Sequence, residues 1–161
     1  MLNYAYCSDK YQYTMGKSFY DSGMKDQHAV FNMFYRKAPE NNNWAVVSGT
    51  DEVIEMIGQL GNMEPSFFEK FLPGEEYAEF RGYLSAMKFT GTVYAMREGE
   101  IVFPNQPIII VEGPLIEAQV LETPILCIMN HQMAVATKAS RVCRATNRPV
   151  SEFGSRRAHG P

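Results

Sequence analysis

A long helical stretch, followed at once by a short apolar run and a dense basic cluster, governs how this chain can fold. Thr123-Pro124 starts the stretch: threonine suits an N-cap and proline the first helical position. The spacing predicts a helix to about Ala145, roughly 22 residues or ~33 Å, as long as a small domain is wide. Ile125, Ile128, Met129, Gln132, Ala136 and Ala139 lie along one side of it. Pro149-Val150-Ser151-Glu152-Phe153 then reads as a strand, and the sequence closes on Gly154-Ser155-Arg156-Arg157-Ala158-His159-Gly160-Pro161. A strand there opens a new helix-to-strand layer, and its edge needs more chain to cover it. The basic cluster belongs at the mouth of an anion-binding pocket. These 161 residues therefore read as the front part of a larger enzyme.

Ahead of that helix the pattern is mixed. Ser8-Asp9 offers a helix N-cap, and Tyr11, Met15, Phe19 and Tyr20 follow at helical spacing, with Gly23 as the stop. Ala29 to Arg36 is aromatic-rich and reads as a strand. Pro39 and Asn41 to Asn43 form a turn, and Trp44 to Ser48 reads as the partner strand of a hairpin. Thr50 caps a further helix, whose face is Val53, Met56, Ile57 and Leu60, and whose first turn holds Asp51 and Glu52. Tyr77, Phe80, Leu84 and Met87 mark one face of another. The period then drops to two. Gly91 to Met96, Ile101 to Phe103 and Ile108 to Val111 read as strands, separated by Glu98-Gly99-Glu100 and Pro104-Asn105-Gln106-Pro107. The expected fold class is α+β, helices mixed with short antiparallel strands, with a new layer opening at residue 123.

Composition narrows the function. Apolar residues make up 45% and the net charge is −3, so a general nucleic-acid surface is not expected. Charge is uneven: Lys138, Arg141, Arg144, Arg148, Arg156 and Arg157 face a single acid, Glu152, after residue 137. Such a local field can hold a phosphorylated small molecule in an acidic protein. The alternative is a solvated face. Cys7, Cys127 and Cys143 lack metal-ligand spacing, and the latter two read as small buried hydrophobes. No signal peptide and no membrane-length apolar run is seen, which fits a reducing, cytoplasmic setting. Phosphate-loop, dinucleotide and zinc-pair motifs are missing, and His28, His131 and His159 lie far apart.

The candidate site is the final decapeptide. Phe153 offers a flat face to a planar ring, and Gly154 allows close backbone approach. Arg156 and Arg157 offer forked donors that match carboxylate or phosphate oxygens. The plainer reading is a surface arginine pair beside a packed phenylalanine. Tyr11 and Arg36 have plainer readings too, as packing and as a solvated strand end. Lys138, Arg141 and Arg144 recur at steps of three and suit the wet face of the long helix.

Four stretches together resemble the N-terminal part of a nicotinate phosphoribosyltransferase. They are Ser8-Asp9-Lys10-Tyr11-Gln12 with Thr14-Met15, Val30 to Pro39, Glu98 to Thr123, and Ala136 to Val142 with Glu152 to Pro161. The third carries Val111-Glu112-Gly113-Pro114-Leu115-Ile116-Glu117-Ala118-Gln119 and Leu121-Glu122-Thr123. The resemblance implies a hammerhead-like N-terminal domain over residues 1–122, with residues 123–161 as the first helix and strand of an irregular β/α barrel. It implies that nicotinate and 5-phosphoribosyl 1-diphosphate give nicotinate mononucleotide and diphosphate. It implies coupled ATP hydrolysis through a phosphohistidine downstream of these motifs, Mg²⁺ held through the diphosphate, and a homodimer with shared active sites. Association with a separate C-terminal part is the other arrangement that supplies the missing length. Residue by residue, Phe153 matches the position stacking on one face of the pyridine ring, and Tyr11 the position stacking on the other face from the neighbouring subunit. Arg156 matches the arginine near the base and the ribose phosphate. Arg36 matches a residue that reaches phosphate across the dimer interface. Gly154, Arg157 and His159 match motif positions in the same decapeptide, and Lys138 and Arg141 lie on the helix leading into it. The rivals are sister phosphoribosyltransferases acting on nicotinamide or quinolinate, and a non-catalytic oligomerisation module.

Overall fold

The computed structural model describes residues 7–37, 43–60 and 63–158. Helix α1 (Lys10–Asp21) comes first, then strands β1 (His28–Met33) and β2 (Ala45–Val46). Helices α2 (Thr50–Gly58), α3 (Pro65–Phe71) and α4 (Ala78–Ala86) follow. Strands β3 (Thr92–Ala95), β4 (Ile101–Val102) and β5 (Ile109–Pro114) lead into α5 (Leu115–Val120) and the long α6 (Glu122–Arg144). Single 3-10 turns occupy Glu75–Tyr77 and Ser155–Arg157.

Strand β5 is the centre of an antiparallel sheet ordered β1-β5-β3, with Phe31 opposite Val111 and Val93 opposite the same residue. Its alternation explains this: Ile109, Val111 and Gly113 are buried, while the residues between them are half-buried. Helix α5 packs on β1 and β5, and α1 packs on α5. The expected hairpin between the first two strands does not form. Instead β2 pairs with β4, Ala45 opposite Val102, in a second small sheet. The buried Thr137 hydroxyl of α6 accepts the Val46 N–H at 2.9 Å and ties that sheet to the long helix.

Sequence neighbours of β5 explain much of the third motif. Gly91 and Gly113 meet backbone to backbone, and a Cβ on Gly91 would stand 2.2 Å from the Glu112 carbonyl oxygen. Just beyond, the buried Glu117 carboxylate accepts the Thr90 N–H at 2.6 Å and its hydroxyl at 3.0 Å. Glu98 works similarly at the start of α2, where its Oε1 accepts the N–H groups of Gly49 (2.7 Å) and Thr50 (2.6 Å). Thr50 is thus the first helical residue, and Gly49, at φ 107°, is the N-cap.

The core between these layers is strongly aromatic. Tyr13 stands edge-on to Phe67, Phe68 and Phe71, while Phe80 packs on Tyr20 and Tyr83. Helix α3, which the sequence reading left unassigned, starts with Pro65 at its N-terminus and supplies the three phenylalanines. On α1 the buried residues are Gln12, Tyr13 and Gly16, whereas Tyr11 and Met15 of the expected apolar face are exposed. Asp9, not Ser8, occupies its N-cap, without a side-chain cap bond.

Helix α6 keeps the expected length but starts at Glu122, following α5 after one turn residue, so Thr123 is not its cap. Its buried row is Ile125, Met129, Met133 and Thr137, with Ile128 beside it. Cys127 and Cys143 lie off that row and are exposed, contrary to the buried reading. No strand forms over residues 149–153. Val150 to Phe153 are exposed coil, for they meet no strand to pair with among the described residues. Pro39, Asn41 and Asn42 of the expected turn lie outside the described residues, as does His159. No helix among the described residues is long and apolar enough to cross a membrane.

Candidate functional site

Two groups of expected site residues emerge, at opposite ends of α6. The first surrounds its N-terminus. Tyr11 is 48% exposed, yet its hydroxyl is tied down. The Gln12 side-chain amide donates to Tyr11 Oη at 2.8 Å and to Glu122 Oε2 at 2.8 Å. Tyr11 Oη itself donates to Glu122 Oε1 at 3.5 Å. The Gln12 carbonyl accepts from the Gln119 amide, and both glutamines are buried. A further tie, from the Thr123 hydroxyl to Asp9 Oδ2 at 3.4 Å, holds the start of α1 to the start of α6. Burial of the hydroxyl end, with the Glu122 and Asp9 carboxylates, pushes the Tyr11 phenol above its ordinary value, so it stays protonated near neutrality.

Glu122 also lines a groove of about 320 Å³ together with Phe31, Phe34, Arg36, Ile125 and Leu126. Arg36, exposed just past β1, therefore shares a neighbourhood with Tyr11 through one carboxylate. Glu122 is their shared neighbour, with Tyr11 coming from α1 and Arg36 from just past an edge strand.

The second group follows the C-terminus of α6 in sequence. Phe153 is 91% exposed. The Gly154 N–H donates to Glu152 Oε1 at 2.5 Å, and Arg156 and Arg157 sit exposed in the single 3-10 turn that follows. Between the groups, Lys138 is exposed on α6, while the Arg141 guanidinium lies 5.4 Å from the centre of the Trp44 ring. That cation–π contact gives Arg141 a packing role. Glu122 thus bonds Tyr11 and shares a groove with Arg36, while Phe153, Arg156 and Arg157 stay close together in sequence beyond α6.

Three residues of the first group were missed as site residues by sequence reasoning: Gln12, Gln119 and Glu122. Their one visible trace is membership in the motifs around Tyr11 and before Thr123. Glutamine at a buried helix position is uncommon, but a pairing across 107 residues has no local signature. Among the described residues no group of three histidine, cysteine, aspartate or glutamate side chains is placed to hold a metal ion.

Comparison with known proteins places the chain in a family. Residues 7–130 match the family model described as the nicotinate phosphoribosyltransferase N-terminal domain. The chain is 38% identical over 159 residues to the nicotinate phosphoribosyltransferase of Dictyostelium discoideum, covering 96% of this chain and 27% of that protein. To the enzyme of the same name from Bacillus subtilis (strain 168) it is 39% identical over 155 residues, covering 94% and 31%. The crystal structure of human nicotinic acid phosphoribosyltransferase superposes with a TM-score of 0.83 at 32% identity, over 96% of this chain and 32% of that one. The nicotinate-nucleotide pyrophosphorylase of Pyrococcus furiosus, at 22% identity and a TM-score of 0.73, shares the fold. The chain spans about three-tenths of the length of the curated relatives it matches. From its motifs, its mixed α+β fold and these matches, the chain belongs to the nicotinate phosphoribosyltransferase family, whose N-terminal domain its residues 7–130 match.

Proposed function

We propose that this chain is the N-terminal part of a nicotinate phosphoribosyltransferase, which makes nicotinate mononucleotide and diphosphate from nicotinate and 5-phosphoribosyl 1-diphosphate, the first step of NAD synthesis from nicotinate. The observation that carries it is the family match over residues 7–130, the span that holds Tyr11 and Arg36. In this reading residues 1–122 form the N-terminal domain, α6 opens a β/α barrel, and the enzyme works in the cytoplasm as a homodimer. ATP hydrolysis is coupled to the reaction through a phosphohistidine outside this chain, so the chain alone is inactive as a transferase.

The chemistry suits the residues. The pyridine nitrogen attacks the anomeric carbon as diphosphate leaves, through an oxocarbenium-like transition state with negative charge growing on the leaving group. Phe153 and Tyr11 from two subunits hold the ring between flat faces. Gly154 lets the backbone approach the ring closely. Arg156 reaches the base carboxylate or ribose phosphate, with Arg157 and His159 beside it, and Arg36 reaches phosphate across the interface. Lys138 and Arg141 support the helix that leads to these groups. Mg²⁺, when bound, neutralises charge on the diphosphate. The cationic decapeptide fits that anion, and its described residues offer the ion no ligand set of their own.

Diphosphate release by the complete enzyme, with ATP and with nicotinate or nicotinamide, tests the reading. Release dependent on nicotinate and enhanced by ATP is expected. Equal or greater release with nicotinamide or quinolinate would assign the chain to a sister activity, and no release with any of them would remove the transferase reading.

A further inference from the structure

We propose that Gln12, Gln119 and Glu122 are positioning residues that lock the Tyr11 ring as a preformed stacking surface for the aromatic base. This rests on the reading above, in which Tyr11 stacks on nicotinate. The hydrogen-bond valences carry it. A primary amide has two donors and one carbonyl acceptor. Gln12, fully buried, spends one donor on Tyr11 Oη and the other on Glu122 Oε2, both at 2.8 Å, and its carbonyl accepts from buried Gln119. Packing alone does not call for this residue: leucine or methionine would fill the same place on α1 without the cost of burying an amide. The amide instead aims both protons at the one exposed aromatic ring beside it and at the carboxylate that ring also meets.

Tyr11 is consequently held at two points, its Cα on α1 and its hydroxyl on the network, while about half of its surface stays open. A ring fixed before the ligand arrives loses less rotamer freedom on binding. Glu122 extends the device, because it lines the groove that Arg36 also lines. One carboxylate on the first turn of α6 therefore sets the place of the ring and borders the arginine's groove.

The test uses nicotinate and 5-phosphoribosyl 1-diphosphate kinetics in the complete enzyme. Tyr11→Phe keeps the ring and cuts its tether, taking from buried Gln12 one of its two acceptors. Gln12→Met keeps the volume and removes both donors. Each is expected to raise the KM for nicotinate about 3- to 10-fold, the worth of one lost hydrogen bond, with the KM for 5-phosphoribosyl 1-diphosphate and kcat nearly unchanged. The double variant should be no worse than the worse single one, because both cut the same tether. Tyr11→Ala separates the two ideas. If Tyr11→Ala impairs nicotinate binding while Tyr11→Phe binds as the parent does, the positioning role is overturned and stacking stands. If Tyr11→Ala leaves nicotinate binding unchanged, both fall. Additive effects, or losses shared equally by the two substrates, make Gln12 a merely structural residue and also overturn the proposal. Should Gln12→Met fail to fold, Tyr11→Phe decides alone.

Discussion

Gly91→Ala should be among the most damaging small substitutions in this chain, for a reason that no dihedral preference supplies. Gly91 is not among the glycines with positive φ, so alanine can adopt its backbone conformation. The obstacle is contact. The new Cβ would stand 2.2 Å from the Glu112 carbonyl oxygen, 2.8 Å from Phe89 Cζ and 3.0 Å from Gly113 Cα. Carbon contacts are favourable near 3.5 Å, so the overlap with backbone is on the order of 1 Å. Phe89 can swing aside; the other two atoms belong to β5, the central strand. Relief requires β3 to part from β5 where Thr92 faces Glu112, and beside it the Thr90–Glu117 bonds would stretch. Strain of this kind costs about 3 kcal/mol, or a fall in Tm of roughly 6–12 °C for a domain of this size. Gly82 is the control. It lies exposed inside α4 with nothing within 4 Å of a Cβ. Gly82→Ala should gain about 1 kcal/mol from helix propensity alone. Urea denaturation followed by circular dichroism reads both. A Gly91→Ala variant within about 0.5 kcal/mol of the parent, the usual spread for neutral surface changes, would refute the close approach of β3 to β5.

Two further outcomes follow from the same frame. Glu98→Ala removes the acceptor of two N–H groups at the start of α2 and should lower stability by about 1 kcal/mol, with Glu98→Gln losing less; an unchanged urea midpoint in both would remove that capping role. Burial holds the Tyr13 phenol up to about 12, so between pH 10 and 12 the folded chain keeps a proton that the unfolded chain releases. Stability should then fall by up to about 3 kcal/mol as pH rises through that window. Tyr83, also pushed up to about 12 by burial and by Glu117, Asp26 and Tyr20, adds to the same fall. Tyr13→Phe should flatten the alkaline slope in part, and an unaltered slope would contradict the burial of its hydroxyl.

The elements with clean local periodicity were legible in the sequence: α2, α4, α6 and the strands β3 to β5 stand close to where spacing put them. Pairing was not. The asparagine-rich turn suggested a hairpin, but β1 needed a partner with a buried face, and β5, some 80 residues on, offered Ile109 and Val111. Helix α1 misled for another reason. Its hydrophobic spacing pointed to Tyr11 and Met15, yet Gln12 is the buried residue, its amide paired with Tyr11, Glu122 and Gln119. On α6 the four-residue row from Ile125 to Thr137 decides burial, and two cysteines off that row are left in solvent. As for the site, Tyr11 and Arg36 were recognisable only as members of motifs, whereas the decapeptide stood out by its aromatic and cationic residues. What the folded chain adds is that Glu122 borders both Tyr11 and the Arg36 groove, while Phe153 lies beyond the far end of α6.

The most direct test mixes two inactive subunits of the complete enzyme. Tyr11→Ala and Arg156→Ala each disable the base site when present in both copies. In a mixed dimer, one of the two composite sites draws its Tyr11 and its Arg156 from unaltered positions on different subunits. Recovery of nicotinate-dependent diphosphate release, up to about half of the parent's per dimer in mixed dimers and absent from either parent variant alone, is the expected result. Folded and fully paired mixed dimers that recover no activity would contradict a base site shared between subunits.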